Sequence, residues 1–196
     1  MAAPMNDFLD AMMWSIAASG VLLGIAALRL HYKVSSDSIE EEQKNLATGL
    51  GVALGATGLY LFLTGIYIQF VPSPPSPFGS PYFVLFGGVS SLGGLVMLSV
   101  AAAFFLRRGL QACSYFAFVV GLYLISDAYS IYKYSLTSDP FKSTLLYLAP
   151  AVALLLSVPA LHIQNRWSRV VFAIFAFIFA GAWFYFAATT TPTHLG

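Results

Sequence analysis

From Asn45 to Leu106 the chain carries no charged residue, only apolar and small polar side chains broken by a proline-rich stretch at Val71–Pro81. A spanning helix needs about 20 predominantly apolar residues, so this stretch holds one helix out, a turn and one helix back. A soluble domain has no means of covering such a run. Across the chain 59% of residues are hydrophobic and 9% charged, against roughly 25% charged in ordinary globular domains. The sequence therefore specifies an all-α polytopic membrane protein forming a single transmembrane domain. Its net charge is +1 and its longest basic run is Arg107-Arg108, too little to neutralise a nucleic-acid backbone, so no nucleic-acid partner is expected. Cys113 is the only cysteine and lies in an apolar run, where a small buried thiol is expected rather than a reactive one.

Charge-free runs and turn residues predict six spans, at about Ala11–Leu30, Leu46–Phe70, Tyr82–Leu106, Leu110–Tyr132, Ser143–Ile163 and Val170–Ala188, each long enough to cross with some tilt. Met1–Asp10 carries Asp7 and Asp10 in place of the basic n-region of a signal peptide, so the first span is expected to stay in the mature protein. Seven of the nine basic residues (Arg29, Lys33, Lys44, Arg107, Arg108, Arg166 and Arg169) fall in the first, third and fifth connections, leaving Lys133 and Lys142 for the opposite side. The positive-inside bias then predicts those connections in the cytoplasm and both termini outside. Trp14, Tyr82, Tyr134 and Trp167 stand where interface anchors would. The run Glu40–Glu42 reads as the solvated face of a short helical extension rather than a metal site. The prolines of Val71–Pro81 predict a stiff extended cap.

Aligned with itself, the chain pairs Gly58-Leu59-Tyr60-Leu61 with Gly121-Leu122-Tyr123-Leu124 at an offset of 63, which also matches Ile68 with Ile131 and Pro77 with Pro140. Leu98-Ser99-Val100 and Leu156-Ser157-Val158 correspond in the returning helices, and Gly181-Ala182-Trp183-Phe184 is a faint third echo. This pattern predicts repeated two-helix units in parallel orientation, with the sixth and first spans completing a third; such repeats occur in transporters. Chance matching among apolar segments of few residue types is the alternative. Gly51, Gly55 and Gly58, the pair Gly20 and Gly24, and the small residues Gly87–Gly94 supply close helix packing, which needs no pore to explain it.

Asp127 is the sharpest polar signal, a carboxylate near the outer end of the fourth span. Intramembrane acids face bundle interiors and mark ion or proton routes or paired charges; a purely structural cap near the surface is the alternative. Tyr123 lies one turn back, and Thr64 and Tyr60 hold the repeat-equivalent positions of Asp127 and Tyr123. His162 closes the fifth span and His31 follows the first on the same side, a weak candidate pair for axial haem ligation. No His-x-x-His or Glu-x-x-His accompanies them, so no metal or cofactor is expected. Pro150 and Pro159 should kink the fifth helix and free carbonyls. Phe172, Phe175, Phe177 and Phe179 surround the last span and read as lipid-facing before they read as a quinone pocket. No nucleophile elbow, phosphate-cradling loop or catalytic carboxylate pair appears, so the protein is not expected to be an enzyme.

The stretch Gly58-Leu59-Tyr60-Leu61-Phe62-Leu63-Thr64-Gly65, with the prolines and Pro81-Tyr82-Phe83-Val84-Leu85-Phe86-Gly87 that follow, resembles the DUF981 type of integral membrane protein. The resemblance is best over the second and third spans. It implies an archaeal plasma-membrane setting and carries no activity or functional residues with it. The residues themselves lead to a small channel or transporter for a small solute or ion, a six-helix unit that self-associates in the bilayer. Asp127, Tyr123, Tyr60 and Thr64 would lie toward its outer mouth and His162 toward the cytoplasm. Two alternatives stand: a non-catalytic subunit of a larger membrane energy-conversion complex, or a haem- or quinone-binding protein using His31 and His162.

Overall fold

Hydrocarbon offers no hydrogen-bond partners, so each spanning segment must satisfy its own backbone. The computed structural model describes residues 7–30, 41–70, 83–163 and 165–195, and there the elements are all helices. They are α1 (Asp7–Arg29), α2 (Glu41–Phe70), a π-helical turn (Phe83–Gly88) running into α3 (Val89–Phe105), α4 (Gln111–Tyr134), α5 (Pro140–His162) and α6 (Arg166–Leu195). Six of these are long and apolar enough to cross a membrane. The Val71–Pro81 cap and His31 lie outside the described residues.

Local chemistry sets several boundaries. α2 begins at Glu41, ahead of the apolar run; its 30 residues make about 45 Å of helix, longer than a hydrocarbon core of roughly 30 Å. α5 starts at Pro140 because the Asp139 carboxylate accepts from the Lys142 backbone N–H at 3.0 Å and Pro140 supplies a preset φ. α4 stops where Ser135 turns left-handed (φ 49°) and its N–H caps the Ile131 carbonyl.

α5 runs unbroken through Pro150 and Pro159. Pro150 has no N–H to give the Leu146 carbonyl one turn back, and the indole Nε1–H of Trp183, on α6, donates to that carbonyl at 3.0 Å. A local defect in one helix thus becomes a bond to the next.

The closest helix pairs are α2 with α3, α4 with α5, and α6 with α1. Contacts of α1 with α2, α3 with α4, and α5 with α6 join these pairs into a closed ring. The pairing is the one the repeat pattern predicts, including the union of last and first helices. Glycine enables the closest approaches: a Cβ on Gly58 would stand 2.8 Å from the Gly94 carbonyl oxygen, and one on Gly121 3.1 Å from that of Ala151. The third pair departs from the pattern. Gly181 meets nothing within 4 Å, and Gly20 of α1 makes the close approach instead, against Ala176. α6 is also not lipid-facing all round: Phe172 and Phe179 are buried. The core along the ring's axis includes Leu54, Val96, Val120, Ala151, Leu154 and Trp183.

Two ends can be distinguished. The basic end carries Arg29, Lys44, Arg107, Arg108, Arg166 and Arg169; the terminal end carries the start of α1, the end of α6 and the α4–α5 connection with Lys133 and Lys142.

Candidate functional site

Near the terminal end, α4, α5 and the π-helical turn converge on one acid. Asp127 lies about two turns before the end of α4, and only 7% of its surface is exposed. Tyr123, four residues earlier and therefore on the same helix face, hydrogen-bonds to the Asp127 side chain. The second carboxylate oxygen, Oδ2, is buried and has no partner among the described residues. Buried polar atoms are nearly always paired, so this one marks a place where the fold has left a bond open.

The neighbours follow from the turn. Gly88 ends the π-helical segment, and a Cβ there would come 2.9 Å from the Tyr123 hydroxyl. From α5, buried Tyr147 donates to the Leu85 carbonyl in the same turn at 2.8 Å and lies within electrostatic reach of both Asp127 and Tyr123. π-helical turns often accompany functional sites because they re-aim backbone groups.

Tyr147 also forms part of the wall of a cavity of about 60 Å³ on the bundle axis. All six helices contribute, with Ser19, Ser90, Gly93, Leu124 and Trp183 among the lining residues. A second cavity of about 60 Å³ lies toward the basic end, bounded by Ser114, Ser157, Cys113, Phe104 and Arg169. Leu154 borders both. At the basic end, Ser114 Oγ lies 3.3 Å from exposed His162 Nε2, Ser157 Oγ donates to the Ser114 carbonyl at 3.4 Å, and Arg169 donates to the Leu30 carbonyl at 3.1 Å.

The sequence-predicted residues therefore separate into groups. Asp127 and Tyr123 come together. Tyr60 packs in the cluster of Met12, Leu61 and Ile68 on α2's side of the bundle, and Thr64 spends its hydroxyl on the Tyr60 and Leu61 carbonyls of its own helix. His162 stands at the opposite end, beside Tyr115 with ring centroids 4.8 Å apart. Its proposed axial partner His31 is outside the described residues. Among those residues no three His, Cys, Asp or Glu side chains cluster as a metal-ligand set. Sequence reading missed Tyr147 and the Leu85 carbonyl; the adjacent glycines Gly87 and Gly88 were the available hint of an irregular turn there.

Three paired helix units, a buried acid and two axial cavities define a multi-pass α-helical membrane protein with an internal polar site. The chain belongs to the DUF981 family, whose description is "protein of unknown function" and which matches residues 1–196. No curated protein and no solved structure matches the chain.

Proposed function

We propose that this protein is a small channel or transporter for a small solute or ion, residing in the plasma membrane as a self-associating six-helix unit with its basic end in the cytoplasm. The observation that carries the reading is Asp127, a buried intramembrane acid whose Oδ2 has no partner among the described residues, within electrostatic reach of a tyrosine that walls one axial cavity. Such acids are expensive in a membrane and mark solute or ion routes. The orientation rests on the lysine and arginine distribution.

The test is flux into proteoliposomes across a panel of ions and small neutral solutes. Asp127→Asn keeps the shape and removes the charge. It should lower the transported species' flux by about tenfold, equivalent to about 1.4 kcal/mol, or abolish its pH dependence, with the helix content unchanged. Equal flux and equal pH dependence in wild type and variant would sink the role of Asp127.

A second reading, as a non-catalytic subunit of a larger complex, draws on a groove of about 360 Å³ on the outer side of α1 and α6, with Ala18 and Gly181 among small residues beside Trp14 and Phe184. Small residues on a membrane-facing surface suit a foreign helix. Gentle extraction decides: stoichiometric foreign chains favour this reading, multiples of the 21.1 kDa protomer the first.

A further inference from the structure

We propose that Asp127 is a proton-binding site and that the proton is the ion this protein conducts or couples to. The first half stands on the site's geometry alone; the second rests on the transport reading above.

A buried carboxylate with an open oxygen must be neutralised by a basic side chain, a bound cation or a proton. The bond to Asp127 comes from Tyr123, which is not basic. The two lysines at that end are engaged elsewhere: Lys133 lies 5.4 and 5.3 Å from the ring centroids of Tyr129 and Tyr134, and Lys142 lies 5.7 and 5.4 Å from those of Tyr185 and Phe186. Among the described residues Asp127 belongs to no cluster of three His, Cys, Asp or Glu side chains, whereas a metal cation needs room for a shell of several oxygen ligands. A proton needs no room.

Among the described residues the ionisable groups facing Asp127 are few. Its own helix presents Tyr123 and α5 presents Tyr147; the π-helical turn and α3, from Phe83 to Phe105, contain no ionisable side chain. Of these two, Tyr147 is the one that borders the axial cavity. Its hydroxyl is held by the Leu85 carbonyl, it feels the charge on Asp127, and it walls the axial cavity. Any response of Tyr147 to that charge would reach a backbone carbonyl of the π-helical turn and the cavity wall. The proton binds and leaves a carboxylate oxygen, and no bond to carbon changes.

Infrared difference spectroscopy of the purified protein during a pH titration reads this directly. Wild type should show one carboxyl C=O stretch that appears and disappears with pH, is lost in Asp127→Asn, and is insensitive to sodium chloride replacing choline chloride at fixed pH. Tyr147→Phe, which leaves the acid in place, should keep the band but move its midpoint. The proposal is overturned if the Asp127 band does not titrate, or if sodium rather than pH shifts the carboxylate stretch. An unmoved midpoint in Tyr147→Phe overturns the role given to Tyr147. Absence of any flux through the wild-type protein in the face of a normal titration would refute the transport reading and leave the proton site standing; normal flux with no titrating band would do the reverse.

Discussion

At Gly94 the separation of two helices is set by a hydrogen atom. A Cβ there would stand 2.5 Å from the Phe62 backbone nitrogen and 2.6 Å from the Gly58 carbonyl oxygen, whereas a Cβ on neighbouring Gly93 meets nothing within 4 Å. Adjacent glycines thus predict opposite outcomes. Gly94→Ala should destabilise the protein by about 1–3 kcal/mol, because the α2–α3 pair must move apart to admit the methyl. Gly93→Ala should be neutral or gain up to about 1 kcal/mol from the restricted unfolded backbone. Thermal unfolding of the two variants in the same detergent compares them, and equal midpoints would contradict the packing described. The same scale shows what the residues made legible. Asp127 and Tyr123 were readable because a charge in an apolar run has few roles and a four-residue spacing has one geometry. Tyr60 and Thr64 hold the offset-63 positions of Tyr123 and Asp127 but not their surroundings: Gly58 and Gly121 both make close helix contacts, whereas the polar side chains at the matched positions meet different neighbours. Tyr147 looks like any tyrosine in an apolar helix, and its importance comes from a backbone carbonyl on another helix, which no side-chain pattern encodes.

Between elements, the bond from Trp183 to Leu146 depends on what Pro150 withholds. Trp183→Phe removes the donor and keeps the ring; it should cost about 1 kcal/mol, typical of a hydrogen bond within a membrane bundle. In a Pro150→Ala background the alanine N–H can take the Leu146 carbonyl, so the cost of Trp183→Phe should shrink by about half or more. A double-mutant cycle on unfolding free energies measures this coupling, and strictly additive effects would show that Trp183 does not compensate for the proline. The carbonyl freed by Pro150 was foreseeable from sequence, but its partner was not, since Trp183 lies on the next helix and tryptophan in a spanning segment usually means an interface anchor. The π-helical turn was equally hidden: Gly87-Gly88 permits it without requiring it, and the bond from Tyr147 is seen only once α5 is in place.

For the molecule as a whole, charge-free runs fixed the number of spans, and the repeat pattern anticipated their pairing because each unit must bury its small-residue face on a neighbour. The ring is built from α2–α3, α4–α5 and α6–α1, so the covalent order is offset by one helix from the structural order. A circular permutant in which a short linker joins the C-terminus to the N-terminus, and the chain is opened between α1 and α2, would restore three successive hairpins. It should insert and unfold within a few degrees of the parent, as judged by size-exclusion profile and thermal midpoint; aggregation with failed insertion would argue against three equivalent units. The offset has a further consequence for synthesis. α1 leaves the ribosome well before its principal partner α6, so Gly20 and buried Ser19 of α1 wait in the bilayer or the insertion machinery while the four helices between them are added. Closure of the ring is thereby tied to synthesis of α6, and a ribosome stalled before α6 leaves behind an open assembly with an unmatched face, a ready substrate for membrane quality control.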